Sequence, residues 1–296
     1  MLTTNLNQIK KAAKEGYAIP HINTQGGQYD IIRACCKAAE EMGSPMILAH
    51  YVATGAYSGH DWFVETAKWC ANKVSVPVSI HLDHGDGFAI CMQALKLGFT
   101  SVMIDGSTLP VEQNAAKTNE VIRVAREFGV PVEAEIGELL RLDNGVALEN
   151  KNLVDPEDVR RFLDLCQPDL LAIGIGNAHG YYKGKPDIHL EILEKVRTFT
   201  DIPLVLHGCT GMEESVIKEA IRLGVAKINF GTDIRYKYVQ HYREGIDKLD
   251  HQGHSWKISQ YASDALAEDV KRIIELSGSV GKAPELAAAS GGSRRA

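Results

Sequence analysis

Short runs of apolar and β-branched residues alternate along this chain with longer segments whose apolar positions recur every three or four residues. The first kind reads as strand and the second as amphipathic helix. Eight strand-like runs occur: Tyr17–Asn23, Pro45–Tyr51, Pro77–His84, Ser101–Ser107, Pro131–Gly137, Leu170–Gly180, Pro203–Gly208 and Lys227–Thr232. Several open on proline, which a strand tolerates at its first residue. Most are apolar almost throughout, as parallel strands covered on both faces are. Between them, Tyr29–Met42 carries Ile32, Cys35, Cys36 and Ala39 at helical spacing. Val111–Phe128 and Glu213–Leu223 show similar stripes, with Gly129 and Gly224 placed as stops. Asp155-Pro156 marks another helix start, a capping side chain followed by proline at the first helical position.

Each strand is followed by a helix, and one extra helix precedes the first strand. The pattern predicts the α/β class, a (β/α)8 TIM barrel with an extra N-terminal helix. A doubly wound open sheet is the competing arrangement, but no GxGxxG follows the first strand and the repeats are too many. At roughly 150 residues per domain a chain of 296 suggests two domains. A barrel, however, fills about 250 residues as one, and no linker interrupts the alternation. A single catalytic barrel is expected over residues 1–283, with the small-residue-rich stretch 284–296 as a disordered tail.

Composition removes several classes of function. Hydrophobic residues make up 45% and charged residues 24% of the chain, ordinary globular usage that excludes disorder and a disulfide-dense miniprotein. No apolar run is long enough to span a bilayer. The opening MLTTNLNQIKKAAKEGY lacks the apolar core of a signal peptide, so a cytoplasmic protein with reduced cysteines is expected. A net charge of −6 offers no basic footprint for nucleic acid.

Eleven histidines are present, and their placement carries the chemistry. Polar residues gather at the C-terminal ends of the strand runs: Asn23, Asp83-His84, Asp105, Glu133/Glu135, Asn177, His179-Gly180, His207-Gly208, Asn229 and Thr232. Barrel active sites lie at that face. A lone histidine at a strand end is usually structural. His84, His179 and His207, at three strand ends, form a credible set of three zinc ligands with a fourth position open. Asp83, beside one of them, is placed for proton transfer or for orienting a metal-bound histidine. Asp105 and Glu135 are candidates to complete or relocate a metal site, and of Glu133 and Glu135 only one is expected to face the barrel centre. Gly180, Gly208, Thr210 and the Asn229-Phe230-Gly231-Thr232 turn lie where a barrel usually holds phosphate.

Six motifs in order carry a resemblance: HLDHG (His81–Gly85), MIDGS (Met103–Ser107), VEAEIG (Val132–Gly137), GIGNAHG (Gly174–Gly180), PLVLHG (Pro203–Gly208) and KINFGTD (Lys227–Asp233). Together they resemble the class II, zinc-dependent ketose-bisphosphate aldolases over about residues 3–283, nearest to the tagatose-bisphosphate aldolase branch. The resemblance implies a lyase that reversibly cleaves a ketose phosphate or bisphosphate to dihydroxyacetone phosphate and an aldehyde. It implies Zn2+ on His84, His179 and His207, and Asp83 as the acid/base at the C4 hydroxyl. Asp105 and Glu135 match carboxylates of an alternative or second metal position. Asn23 and Asn229 match side chains near the dihydroxyacetone phosphate moiety, and Gly180, Gly208-Cys209-Thr210 and Asn229-Phe230-Gly231-Thr232 match its phosphate cradle. A monovalent cation (Na+ or K+) beside the phosphate, and a homodimer or homotetramer, are further expectations.

The chain departs from relatives in four places. Their strand-5 loop has paired glycines before an acid; here Leu140-Arg141 stand there and Asp143 aligns with the acid, Glu138 and Glu149 being alternatives. Gly231 occupies the position of an Asp in fructose-bisphosphate aldolases. Where many relatives have a phosphate-binding Arg near the C-terminus, this chain offers Lys282. These differences, with His50-Tyr51 after strand 2, predict an aldehyde other than simple glyceraldehyde 3-phosphate. Two other readings compete, a zinc hydrolase on the same barrel and a non-catalytic aldolase companion subunit. The hydrolase would need no phosphate cradle, and the companion would have lost metal ligands.

Overall fold

The computed structural model describes residues 1–4, 6–141, 153–182, 184–249 and 254–284. Helix α1 (Leu6–Glu15) leads into β1 (Ile19–Asn23), α2 (Tyr29–Met42) and β2 (Met46–Tyr51). A 3-10 turn at Val52–Thr54 and the short α3 (Gly55–Ser58) precede α4 (His60–Ala71), β3 (Val78–Gly85), α5 (Phe88–Leu97), β4 (Ser101–Ile104), α6 (Val111–Glu127) and β5 (Val132–Ile136). The second half runs β6 (Leu140–Arg141), α7 (Pro156–Leu165), β7 (Leu170–Ile173), β8 (Ala178–His179), α8 (Leu190–Arg197), β9 (Leu204–Leu206), α9 (Glu214–Arg222), β10 (Val225–Phe230), α10 (Thr232–Lys248) and α11 (Ser255–Ser277). Eight strands close a parallel barrel in the order β1-β10-β9-β7-β5-β4-β3-β2, while β6 and β8 pair separately. The predicted (β/α)8 barrel with its N-terminal helix is therefore present. Among the described residues no helix is long and apolar enough to cross a membrane. Residues 285–296 lie outside the described residues, as does Asp143.

Local signals account for the helix limits. Asp155 caps α7, its Oδ1 accepting from the Glu157 N–H at 2.9 Å, with Pro156 at the first position. The stripe of α2 buries Ile31, Ile32, Cys35, Cys36 and Ala39 against the barrel's outside. The floor is apolar: Ile9 and Ala12 of α1 pack with Ile19, Ile47, Leu170 and Val205, which lie at or near the starts of four strands. Above that layer the interior turns polar, with His21, His81, Ser101, Glu133 and Lys227 all buried. A hydrocarbon filling would be the more stable choice, since each buried polar group must find partners or cost about 1–3 kcal/mol. Stability alone does not explain that layer.

Two expectations change here. The run Leu170–Gly180 is not one strand: β7 ends at Ile173, and Asn177 accepts from the Ile175 N–H at 3.0 Å, turning the chain. His179 therefore sits in β8, paired through Ala178↔Leu140 and His179↔Arg141 with β6. Lys282 does not reach the C-terminal face. Helix α11 runs back past the barrel, and the Lys282 ammonium lies 3.1 Å from Glu15 of α1 and over the Tyr17 ring, at the floor.

Candidate active site

Strand alternation would send Asp83 and His84 to opposite faces. Two features defeat it. The β3–β4 register breaks between Leu82 and Gly85, and His84 adopts φ 52°, a left-handed conformation uncommon outside glycine. Strain of that kind persists where the surroundings over-determine it, and it concentrates at functional sites. Gly85 allows the turn to lie flat on β4, since a Cβ there would stand 2.4 Å from the Met103 carbonyl. Both Asp83 and His84 consequently line one pocket.

Carboxylates aim the histidine rings. The His84 Nδ1–H donates to Asp105 Oδ2 at 2.8 Å, and Asp105 is itself held by the Ser107 N–H and hydroxyl at 3.0 and 2.7 Å. On the other side the His207 Nε2–H donates to Glu133 Oε1 at 3.0 Å. The remaining nitrogens, His84 Nε2 and His207 Nδ1, then face each other at 3.3 Å. The His179 ring stands 5.0 Å from His84 and 5.9 Å from His207, centroid to centroid. One ligand atom from each of the three rings falls within 4.8 Å of the others. Converging imidazole nitrogens, two of them oriented by carboxylates, fit a divalent metal with nitrogen ligands.

The electrostatics agree. Burial lowers the His84 pKa, but Asp83, the Asp105 hydrogen bond and Glu135 outweigh it and hold the ring up at about 9. Protonation of the His84 ring competes with metal binding at its Nε2. Burial opposes ionisation of Asp105, yet its bonds to His84 and Ser107 hold it well below the usual carboxylate range. Burial pushes Glu135 up to about 8, His84 pulling the other way. His207 lies well below its ordinary value through burial and the neighbouring His84.

Asp105 and Glu135 form a second convergent group with His84. They lie on its Nδ1 side, Glu135 Oε2 at 3.9 Å. A cation there would replace the Asp105 hydrogen bond that aims His84 at the first group. The expectation that only one of Glu133 and Glu135 faces inward is wrong. Residues two apart share a face, and both carboxylates reach His207, at 3.0 and 3.9 Å.

The pocket holds about 360 Å3, enough for a sugar phosphate by the usual range for ligand sites. Asn23 and Asn229 line it, with Gly180, Gly208, Thr210, Phe230, Gly231 and Thr232 along one wall. The N-terminus of α10 opens onto that wall, and Thr210 Oγ1 accepts from the Asp233 N–H at 3.2 Å. Cys209 is a correction. Its N–H donates to the Asn229 carbonyl at 3.2 Å, its thiol faces the Leu206 carbonyl, and it does not line the pocket. Gly208 is needed for packing as well as access, because at φ 64° a Cβ would stand 2.2 Å from the Ala178 carbonyl. Gly208→Ala should cost at least about 2 kcal/mol from strain and overpacking, read as a lower urea midpoint; an unchanged midpoint would contradict this packing.

Several pocket residues escaped the sequence reading. Gln25, at φ 54°, donates from its N–H and its Nε2 to Asn23 Oδ1, each at 3.0 Å. Thr54 and Arg235 also line the pocket. Tyr182, half-buried behind it, accepts from the Ala178 N–H at 2.8 Å and lies 3.1 Å from the Gly208 carbonyl, tying the two loops together. Only Arg235, a cation in the first turn after the last strand, left a readable signal.

A parallel barrel with an acid and three converging histidines at its C-terminal face, next to a helix N-terminus, suits metal-assisted chemistry on an anionic substrate. The chain belongs to the family described as fructose-bisphosphate aldolase class-II, whose family model matches residues 3–282. It is 37% identical to the fructose-bisphosphate aldolase of Thermus caldophilus, covering 96% of this chain and 100% of that protein. It is 33% identical to that of Helicobacter pylori strain J99, covering 95% and 100%. Among solved structures it is similar to the YdjI aldolase from Escherichia coli K12, with TM-score 0.84, 30% identity and coverage of 96% and 100%. A putative fructose-1,6-biphosphate aldolase from Coccidioides immitis gives TM-score 0.83, 28% identity and coverage of 94% and 96%. The chain is thus a class II aldolase, cleaving a ketose bisphosphate to dihydroxyacetone phosphate and an aldehyde. The hydrolase and companion-subunit readings gain no support, and the likeness to the tagatose-bisphosphate branch rests on the motifs alone.

Proposed function

We propose that His84, His179 and His207 hold Zn2+, that Asp83 is the proton-transferring acid/base, and that the phosphate rests on the wall formed by Gly180, Gly208, Thr210, Gly231 and Thr232. The observation that carries this reading is the turn at His84, which brings the acid and a metal ligand, adjacent in sequence, into one pocket. In cleavage Asp83 takes the C4 hydroxyl proton and the C3–C4 bond breaks. Bound Zn2+ supplies Lewis-acid stabilisation of the negative charge left on the dihydroxyacetone phosphate half. Asn23 holds Asp83 through a 3.5 Å hydrogen bond from its Nδ2. The wall offers backbone N–H groups and the α10 terminus to the phosphate, and a sodium or potassium ion beside it is part of the proposal.

The acid that returns a proton to the dihydroxyacetone phosphate half is assigned to Asp143. Support comes from chain position: it follows Arg141 by two residues, and Arg141 pairs with His179. Six cysteines, all free and buried, accord with the cytoplasmic setting expected of the chain.

With Lys282 at the floor, the difference in the aldehyde half rests on Gly231 and Tyr51. Gly231 puts no carboxylate at the wall, although a Cβ there would meet only Asn23, at 3.4 Å. Arg235 supplies the mouth with a cation for an anionic group on the aldehyde half. Cleavage of ketose phosphates of four to seven carbons, followed by a coupled dihydroxyacetone phosphate assay, tests both parts. The expected result is release of dihydroxyacetone phosphate, with fructose and tagatose bisphosphates giving lower kcat/KM than another member of the panel. No release from any of them overturns the function; a high kcat/KM on either bisphosphate overturns only the specificity.

A further inference from the structure

Beneath the three histidines, two opposite charges face each other in the barrel interior. Lys227 of β10 places its Nζ 2.9 Å from Glu133 Oε2 and 3.2 Å from Oε1, and both side chains are sealed from solvent, at 1% and 0% exposure. An ion pair this deep is poor evidence of stabilisation, because desolvation offsets the attraction and apolar residues of similar volume often serve as well. Its other bonds give it direction.

Glu133 Oε1 accepts from His207 Nε2 at 3.0 Å. A carboxylate only accepts, so the ring must carry its proton on Nε2 and present a lone pair at Nδ1, toward His84. Lys227 Nζ also lies 3.1 Å from Asn229 Oδ1. An ammonium only donates, so the amide atom facing it must be the oxygen. That turns the Asn229 NH2 group away from Lys227, and Asn229 lines the pocket. The remaining near group, His81 Nε2, is 3.9 Å from Glu133 Oε2, beyond a hydrogen bond, and its ring is committed to Ser101 through Nδ1 at 2.8 Å.

We propose that Glu133 and Lys227 are positioning residues for the aldol reaction, a buried pair that fixes the tautomer of His207 for the metal and the amide orientation of Asn229 for the substrate. One hydrogen-bonded unit then joins the metal side of the pocket to its substrate side. This rests on the reading of His84, His179 and His207 as the zinc site, and the controls below separate the two.

The test begins with the unmutated protein loaded with zinc. Nitrogen-15 NMR of labelled histidines should show His207 coordinated through Nδ1, with Nε2 protonated. Coordination through Nε2 overturns the proposal, since Glu133 then cannot be holding that nitrogen. Failure of the parent protein to bind zinc overturns the metal reading instead. Next, zinc affinity is measured by chelator competition for Glu133→Gln. One oxygen of the carboxylate becomes an NH2 group, which must face the Lys227 ammonium or the His207 Nε2–H, donor against donor, and affinity should fall about 10- to 100-fold, the usual cost of losing a carboxylate behind a ligating histidine. In the double variant Glu133→Gln/Lys227→Met the amide oxygen is free to turn to His207. Zinc affinity should recover at least severalfold over the single variant, while dihydroxyacetone phosphate binding to the zinc-loaded protein falls about tenfold, near the worth of one hydrogen bond. A plain structural pair would lower thermal stability in both variants and leave zinc and ligand affinities within twofold of the parent, which overturns the proposal.

Discussion

Asp83→Asn should lower kcat for cleavage by about 10²- to 10⁴-fold, the span that a positioned acid/base contributes, with KM little changed. Asparagine keeps the size and the bond to Asn23 but cannot accept a proton from the C4 hydroxyl. Asp83 is only 7% exposed and stands 4.0 Å from both His21 Nε2 and His84 Nε2, too far to be chiefly a hydrogen-bond anchor for either ring. His84 is already anchored by Asp105 at 2.8 Å. Zinc content of the variant should therefore match that of the parent. If kcat stays within tenfold, or if the loss follows a loss of zinc, Asp83 is an orienting group and the proton goes elsewhere.

The frame of this site was legible because barrel physics separates its two ends. Apolar strand bodies give way to polar ends at Asn23, Asp83-His84, His207 and Asn229, and the chain closes so that these ends meet. What the sequence concealed follows from the limits of local pattern. Alternation along β3 predicts that His84 points away from Asp83, and only the break after Leu82 with the left-handed backbone at His84 reverses that. Glu133 looked like a residue in competition with Glu135, whereas a shared strand face brings both inward. Its partner Lys227 sits 94 residues away, a separation that periodicity cannot bridge. Lys282 shows the reverse error, since alignment by position placed it near the substrate and helix α11 carries it to the floor. Gln25 and Tyr182 act through backbone geometry and loop-to-loop bonds that leave no sequence pattern. Asp143 lies outside the described residues, so its role rests on the resemblance and on the pairing of β6 with β8.

Metal dependence is the central claim, and the pocket makes it testable against the other chemistry an aldolase can use. A lysine that forms a Schiff base with the ketose is the alternative way to stabilise the same negative charge. Among the described residues lining the pocket there is no lysine, and Lys227, the buried lysine beneath it, is occupied by Glu133 and Asn229. In the proposed reading the charge is met by a cation at the three histidines, which is worth several kcal/mol, or at least about a thousandfold in rate. The deciding measurement is cleavage activity before and after prolonged EDTA treatment, with zinc or cobalt added back and with borohydride added in the presence of substrate. The account predicts loss of at least about a thousandfold, restoration by either metal, and no borohydride trapping. Activity that survives chelation and is trapped covalently by borohydride would contradict it.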